Sequence, residues 1–166
     1  MATEHIKKSH NVSLLLYHLV CPAKYRLAVF EKYSRIEETI KNVCLEIEKR
    51  YDIHFVEIGA DVNHIHFLVQ SVPMNRPTDV AKIIKSITAR EVFQLIPEVK
   101  KDLWGGEFWT KGYYINTVGK SANEKAIVEY VRSQGLKYQQ IYRNQLKLFE
   151  GNWFNTSSAC CEVVYY

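Results

Sequence analysis

The chain reads as an α+β domain, a ferredoxin-like or RRM-like split βαβ sheet, antiparallel at its centre, with helices on one face. Two observations lead there. Short β-rich apolar runs alternate with long runs of helical period, and their order is strand, helix, strand, strand, helix, strand, helix.

Each element has its own signal. Residues 12–20, "VSLLLYHLV", are apolar and β-forming and stop before Pro22, which suits a buried strand. "SRIEETIKNVCLEIEKRYD" opens with Ser34 and Glu37 at capping-box spacing and puts Ile36, Ile40, Val43, Cys44 and Ile47 on one helical stripe. "IHFVEIGA" (53–60) and "HIHFLVQSV" (64–72) flank the turn "DVN" and form a hairpin. Residues 77–97 run from proline to proline with Val80, Ile83, Ile84, Ile87 and Val92 in helical register. After "LWGGEFW" breaks the pattern, "FWTKGYYINTV" (108–118) predicts an aromatic strand. A final helix runs from Ser121, with a second capping box in Ser121 and Glu124, to a stop at Gly135.

The 166 residues are enough for one core, so residues 1–150 are expected to form a single domain and 151–166 a loose tail. A net charge of +4 permits a polyanionic partner without requiring one. The 13% aromatic content, with 11 Tyr, suits stacking on unpaired bases as well as an ordinary core. Cys21, Cys44, Cys160 and Cys161 make no CxxC pair, so reduced thiols in a cytoplasm are expected. No apolar run reaches the length of a membrane span and "MATEHIKKSH" lacks the apolar stretch of a signal peptide.

The chemistry begins at "DVNHIHFLVQ" (61–70). Side chains alternate along a strand, so His64 and His66 project to one face while Ile65 and Phe67 point to the other. Two adjacent imidazoles are how a strand offers two nitrogen ligands to one cation. No histidine follows His66, so a site needing a later histidine lacks a ligand, while His54 on the neighbouring run is a third nitrogen only if the register allows it. On the last helix Tyr130 and Gln134 are four apart and share a face. The Gln134 amide oxygen suits Mg²⁺ or Mn²⁺, whose open positions would take phosphate oxygens, and Tyr130 lies one turn from it as a candidate nucleophile. A tyrosine that attacks a phosphodiester keeps the cut bond as a phosphotyrosine ester, available for rejoining.

With those residues in view, the chain resembles the single-tyrosine HUH transposases of the IS200-like family, small enzymes of insertion sequences that move as single-stranded DNA. The resemblance runs from about residue 10 to 135 and rests on "YHLVCPAKYR", "DVNHIHF", "FWTKGYYINTVG" and "EYVRSQ", in that order. It implies that the last helix is catalytic, that His64, His66 and Gln134 hold the metal, and that Tyr130 joins the 5′ phosphate and frees a 3′ hydroxyl. It also implies recognition of DNA hairpins at element ends, and a homodimer in which the tyrosine helix of one copy completes the histidine site of the other.

Cations near the matching blocks, Lys24, Arg26, Lys82, Lys85, Arg90, Lys111 and Lys120, are candidates for DNA contacts. Asp61 is read either as a carboxylate that orients a metal ligand or as a turn residue. The expected setting is the cytoplasm, on the nucleoid when DNA is bound. Alternatives are a domesticated hairpin-repeat endonuclease or relaxase-type strand transferase, and a binding module without catalysis that stacks bases on Trp109, Tyr113 and Tyr114.

Overall fold

The computed structural model describes residues 5–119. A small hairpin of β1 (Ile6–Lys8) and β2 (Asn11–Ser13), which the sequence did not announce, leads into β3 (Leu15–Pro22). A 3₁₀ turn (Lys24–Arg26) and the short α1 (Val29–Lys32) precede the long α2 (Arg35–Arg50). The hairpin of β4 (Ile53–Ala60) and β5 (His64–Ser71) turns at residues 61–63, as expected. Then come α3 (Pro77–Leu95), the short α4 (Val99–Asp102) and β6 (Tyr114–Val118).

The four main strands form an antiparallel sheet in the order β4-β5-β3-β6, with β5 and β3 at the centre. That is the split βαβ arrangement. The final helix, Lys120, Tyr130, Gln134 and the tail 151–166 lie outside the described residues.

The main core lies between the sheet and the helices, and a smaller buried cluster of Leu16, Val56, Leu68 and Val118 lies on the other face. The stripe Ile36, Ile40, Val43, Cys44 and Ile47 of α2 is buried, as are Val80, Ala81, Ile84, Thr88 and Val92 of α3. They meet Leu19 and Cys21 from β3, Ile53, Phe55 and Ile58 from β4, and Ile65, Phe67 and Val69 from β5. Fully burying one such aliphatic or aromatic side chain stabilises by roughly 1.5–3 kcal/mol, so this face fixes the register of the sheet.

A β-bulge at Phe55–Glu57 shifts the parity of β4. Before it Ile53 and Phe55 face the helices; after it Ile58 and Ala60 do. The shift sets Gly59 opposite His66.

Two local expectations change. Ser34 has helical backbone angles and makes no side-chain cap bond, because α1 feeds almost directly into α2 and denies it the extended conformation of an N-cap. The aromatic strand is shorter than residues 108–118: Phe108 and Trp109 turn into the core and pairing begins at Tyr114. Trp109 meets the sheet only through an isolated bridge to Ala23. No described helix is long and apolar enough to cross a membrane.

Candidate active site on the sheet face opposite the helices

The helices cover one face of the sheet, and the histidines stand on the other. His64 and His66 alternate with the buried core residues Ile65 and Phe67, so both rings leave the core side together. Their centroids are 4.8 Å apart. Gly59, the cross-strand partner of His66, contributes no side chain beside it.

Each ring is held through Nδ1. His64 Nδ1 lies 2.8 Å from Asn63 Oδ1, and His66 Nδ1 lies 2.9 Å from His18 Nε2. Because a carbonyl oxygen only accepts, the Asn63 contact puts the His64 proton on Nδ1 and its lone pair on Nε2. That tautomer leaves the Nε2 lone pair free of a proton, as a metal ligand requires. Burial lowers the His64 pKa, with the Asp61 carboxylate acting against it and the Arg26 guanidinium adding to it. Burial, with smaller contributions from His64 and His18, takes His66 down to about 3, and burial takes His18 to about 4. All three rings are therefore neutral at pH 7, the state in which an imidazole can donate to a cation.

The donor set therefore fits a divalent cation at its two imidazoles. Among the described residues no group of three or more His, Cys, Asp and Glu is arranged to hold a metal, so any further protein ligand lies elsewhere in the chain or is not of these types. His54 is not that ligand: it pairs with Gln70, four positions along β5 from His66 and so roughly 13 Å away, and its Nδ1 is 3.7 Å from Glu48.

Asp61 acts as a turn residue. Its Oδ1 accepts the Val62 N–H at 2.7 Å and its backbone N–H donates to the His64 carbonyl, while Oδ2 stands 3.9 Å from His64 Nε2, too far for a hydrogen bond. The side chain that orients His64 is Asn63. His18 was also not singled out by sequence reasoning, although it sits at an even position of β3, among residues facing away from the helices.

The candidate cations divide into groups. Lys24 and Arg26 lie on the turn after β3, which is tied to the histidine end of the sheet by the Ala23 N–H to Asn63 carbonyl bond. Tyr25 and Arg26 both take left-handed backbone angles, φ 57° and 51°, a conformation that costs a non-glycine residue about 1 kcal/mol or more. Lys24 is ion-paired with Glu107. On the helix side, Lys82, Arg90 and Lys111 line an open groove of about 580 Å³ between α3 and residues 106–113, with Phe93 and Tyr113 among its walls.

Lys85 lines the same groove, but its ammonium donates to the carbonyls of Thr110, Lys111 and Gly112 at 3.0, 3.0 and 3.1 Å. All three of its donors are engaged on the loop. The proposed stacking platform does not assemble either. Trp109 is buried and donates its indole N–H to Thr88, Tyr113 packs against the core, and Tyr114 is exposed on the histidine face.

Comparison with known proteins agrees with this geometry. Residues 11–134 match the family model described as transposase IS200 like. The chain is 29% identical over 120 residues to the ISDra2 transposase TnpA of Deinococcus radiodurans, covering 72% of this chain and 84% of that protein. It is 27% identical over 120 residues to the transposase for insertion sequence element IS200 of Salmonella typhimurium, covering 71% and 75%.

A crystal structure of a Deinococcus radiodurans R1 protein described as a transposase superimposes with a TM-score of 0.59 at 25% identity, over 78% of this chain and 97% of that one. The REP-associated tyrosine transposase bound to a REP hairpin shares the fold, with a TM-score of 0.52 at 6% identity over 76% and 70%. With the family model spanning most of the chain, including the hairpin that carries both histidines, this protein belongs to the IS200-like transposase family.

Proposed function

We propose that the protein cuts and rejoins single-stranded DNA at hairpin-marked element ends through a 5′-phosphotyrosine intermediate. The observation that carries this reading is the pair His64 and His66, side by side on the face opposite the helices with each Nδ1 held by a neighbour. Mg²⁺ or Mn²⁺ held by these imidazoles and by Gln134 would polarise a phosphate oxygen and stabilise charge developing in the transition state. The Tyr130 phenol oxygen attacks phosphorus, the bond from phosphorus to the 3′ oxygen breaks, and the 3′ strand leaves with a hydroxyl while the 5′ phosphate stays on tyrosine. The reverse attack by a 3′ hydroxyl reseals DNA and frees the phenol, so no ATP is consumed. Arg26, whose charge is felt at His64, is suited to hold the phosphate at the site.

Family membership supports a homodimer in which Tyr130 of one copy serves the histidines of the other. Hairpin recognition belongs to the same reading, with the groove cations Lys82, Arg90 and Lys111 as phosphate contacts.

The test uses labelled single-stranded DNA from both flanks of the gene, with Mg²⁺ or Mn²⁺ and then with chelator. A denaturation-resistant adduct should form with metal, vanish in Tyr130→Phe and in His66→Ala, and reappear when the two inactive variants are mixed. Hairpin binding without an adduct in the wild type would instead establish a binding module; an adduct that mixing does not restore would place the tyrosine in cis.

A further inference from the structure

We propose that His18 is a positioning residue for the metal ligand His66, accepting its Nδ1 proton and so fixing the ring with its lone pair on Nε2. The inference rests on the metal-site reading above and adds to it a residue from a different strand.

His18 and His66 are buried, at 4% and 3% exposure, and their rings are 12° from parallel with Nε2 and Nδ1 2.9 Å apart. His18 pairs with Leu68 and His66 with Val20, so the two histidines meet diagonally across β3 and β5. Two neutral imidazoles can share this hydrogen bond in only two ways. Either His66 donates from Nδ1 and keeps its lone pair on Nε2, or His18 donates from Nε2 and the His66 proton moves to Nε2, where it blocks a metal.

The neighbouring site indicates which arrangement holds. His64 must carry its proton on Nδ1, because its partner there is the Asn63 carbonyl oxygen. A chelate of both rings needs the same tautomer on His66, which makes His18 the acceptor, with its own proton on Nδ1. Tyr114 stands edge-on to the His18 ring at 6.1 Å and limits its rotation from the β6 side.

The experiment compares wild type, His18→Leu and His18→Gln, each first checked for a cooperative thermal transition. Glutamine provides an amide oxygen that can accept from His66 Nδ1, whereas leucine provides none. Nitrogen-15 spectra of the metal-free proteins should show His66 as the Nδ1–H tautomer in wild type and His18→Gln, and as a mixture in His18→Leu. Mn²⁺ affinity by calorimetry should fall about 10- to 100-fold in His18→Leu and largely return in His18→Gln.

Equal Mn²⁺ affinity in wild type and folded His18→Leu, or an Nε2–H tautomer of His66 in the wild type, overturns the positioning role and leaves the metal site standing. Absence of Mn²⁺ binding in the wild type overturns both. If neither His18 variant folds, His18→Asn serves with the same tautomer readout, and a wild-type Nε2–H form remains decisive against the role.

Discussion

At the residue scale, burial sets the charge states on both sides of the sheet, and Glu48 shows it most directly. Near the end of α2 its carboxyl is pushed up to about 7 by burial, against the Phe55 N–H that donates to it at 2.7 Å and pulls it down. A carboxyl with a raised folded pKa holds its proton longer in the folded state, so its contribution favours folding below the ordinary value of 4.5 and is lost as pH climbs through 7. Glu48→Gln keeps an acceptor for Phe55 and removes the charge. It should gain about 1 kcal/mol by urea denaturation at pH 8, a figure reduced from the full linkage value for residual solvent screening, and almost nothing at pH 5. A loss of stability at pH 8 would show that the fold accommodates the ionised carboxylate and would overturn the burial account.

At the scale of elements, the segment 106–113 is a tethered loop rather than the strand its aromatics suggested. Lys85 holds three of its carbonyls, Thr110 N–H reaches Pro22, and Trp109 hangs on Thr88. Lys85→Met retains most of the aliphatic stem and loses the donors. The expected outcome is about 1–2 kcal/mol less stability in urea, with little change in the salt dependence of DNA binding, since this ammonium is already engaged. A large fall in salt dependence would return Lys85 to the DNA contacts.

Lys85 also marks where the sequence stopped being legible. The stripe of α2, the hairpin turn at 61–63 and the shared face of His64 and His66 follow from periodicity, which local pattern reports well. The identity of a lysine's partners depends on which loop returns to its helix, and so does the choice of Asn63 over Asp61 as the neighbour of His64. His18 was hidden for the same reason: its partner is 48 residues away, and only sheet register brings them together. The parity shift of β4 was not read from the sequence, although in "IHFVEI" apolar residues fall at 53, 55, 56 and 58, a break in the alternation of a regular strand.

At the scale of the whole molecule, the two faces of the sheet divide the work. The histidines occupy the face opposite the helices, the groove cations lie on the helix side, and the turn carrying Lys24 and Arg26 sits beside residues of both: Ala23 N–H bonds to Asn63 and Lys24 N–H to Phe108. On the proposed reading, DNA that filled both places would be gripped through phosphates far from the bond being cut, which would separate affinity from chemistry. Replacing Lys82, Arg90 and Lys111 together by alanine should reduce the slope of log affinity against log salt by about 2–3, near 0.9 for each duplex and 0.7 for each single-strand phosphate that is no longer neutralised. Adduct yield should recover once DNA is raised to saturation. Arg26→Ala should do the reverse, slowing adduct formation at saturating DNA while lowering the slope by no more than the share of a single phosphate. An unchanged slope in the triple variant would show that DNA bypasses the groove, leaving the left-handed turn at Tyr25 and Arg26, strained and adjacent to His64, as the main described phosphate-binding element.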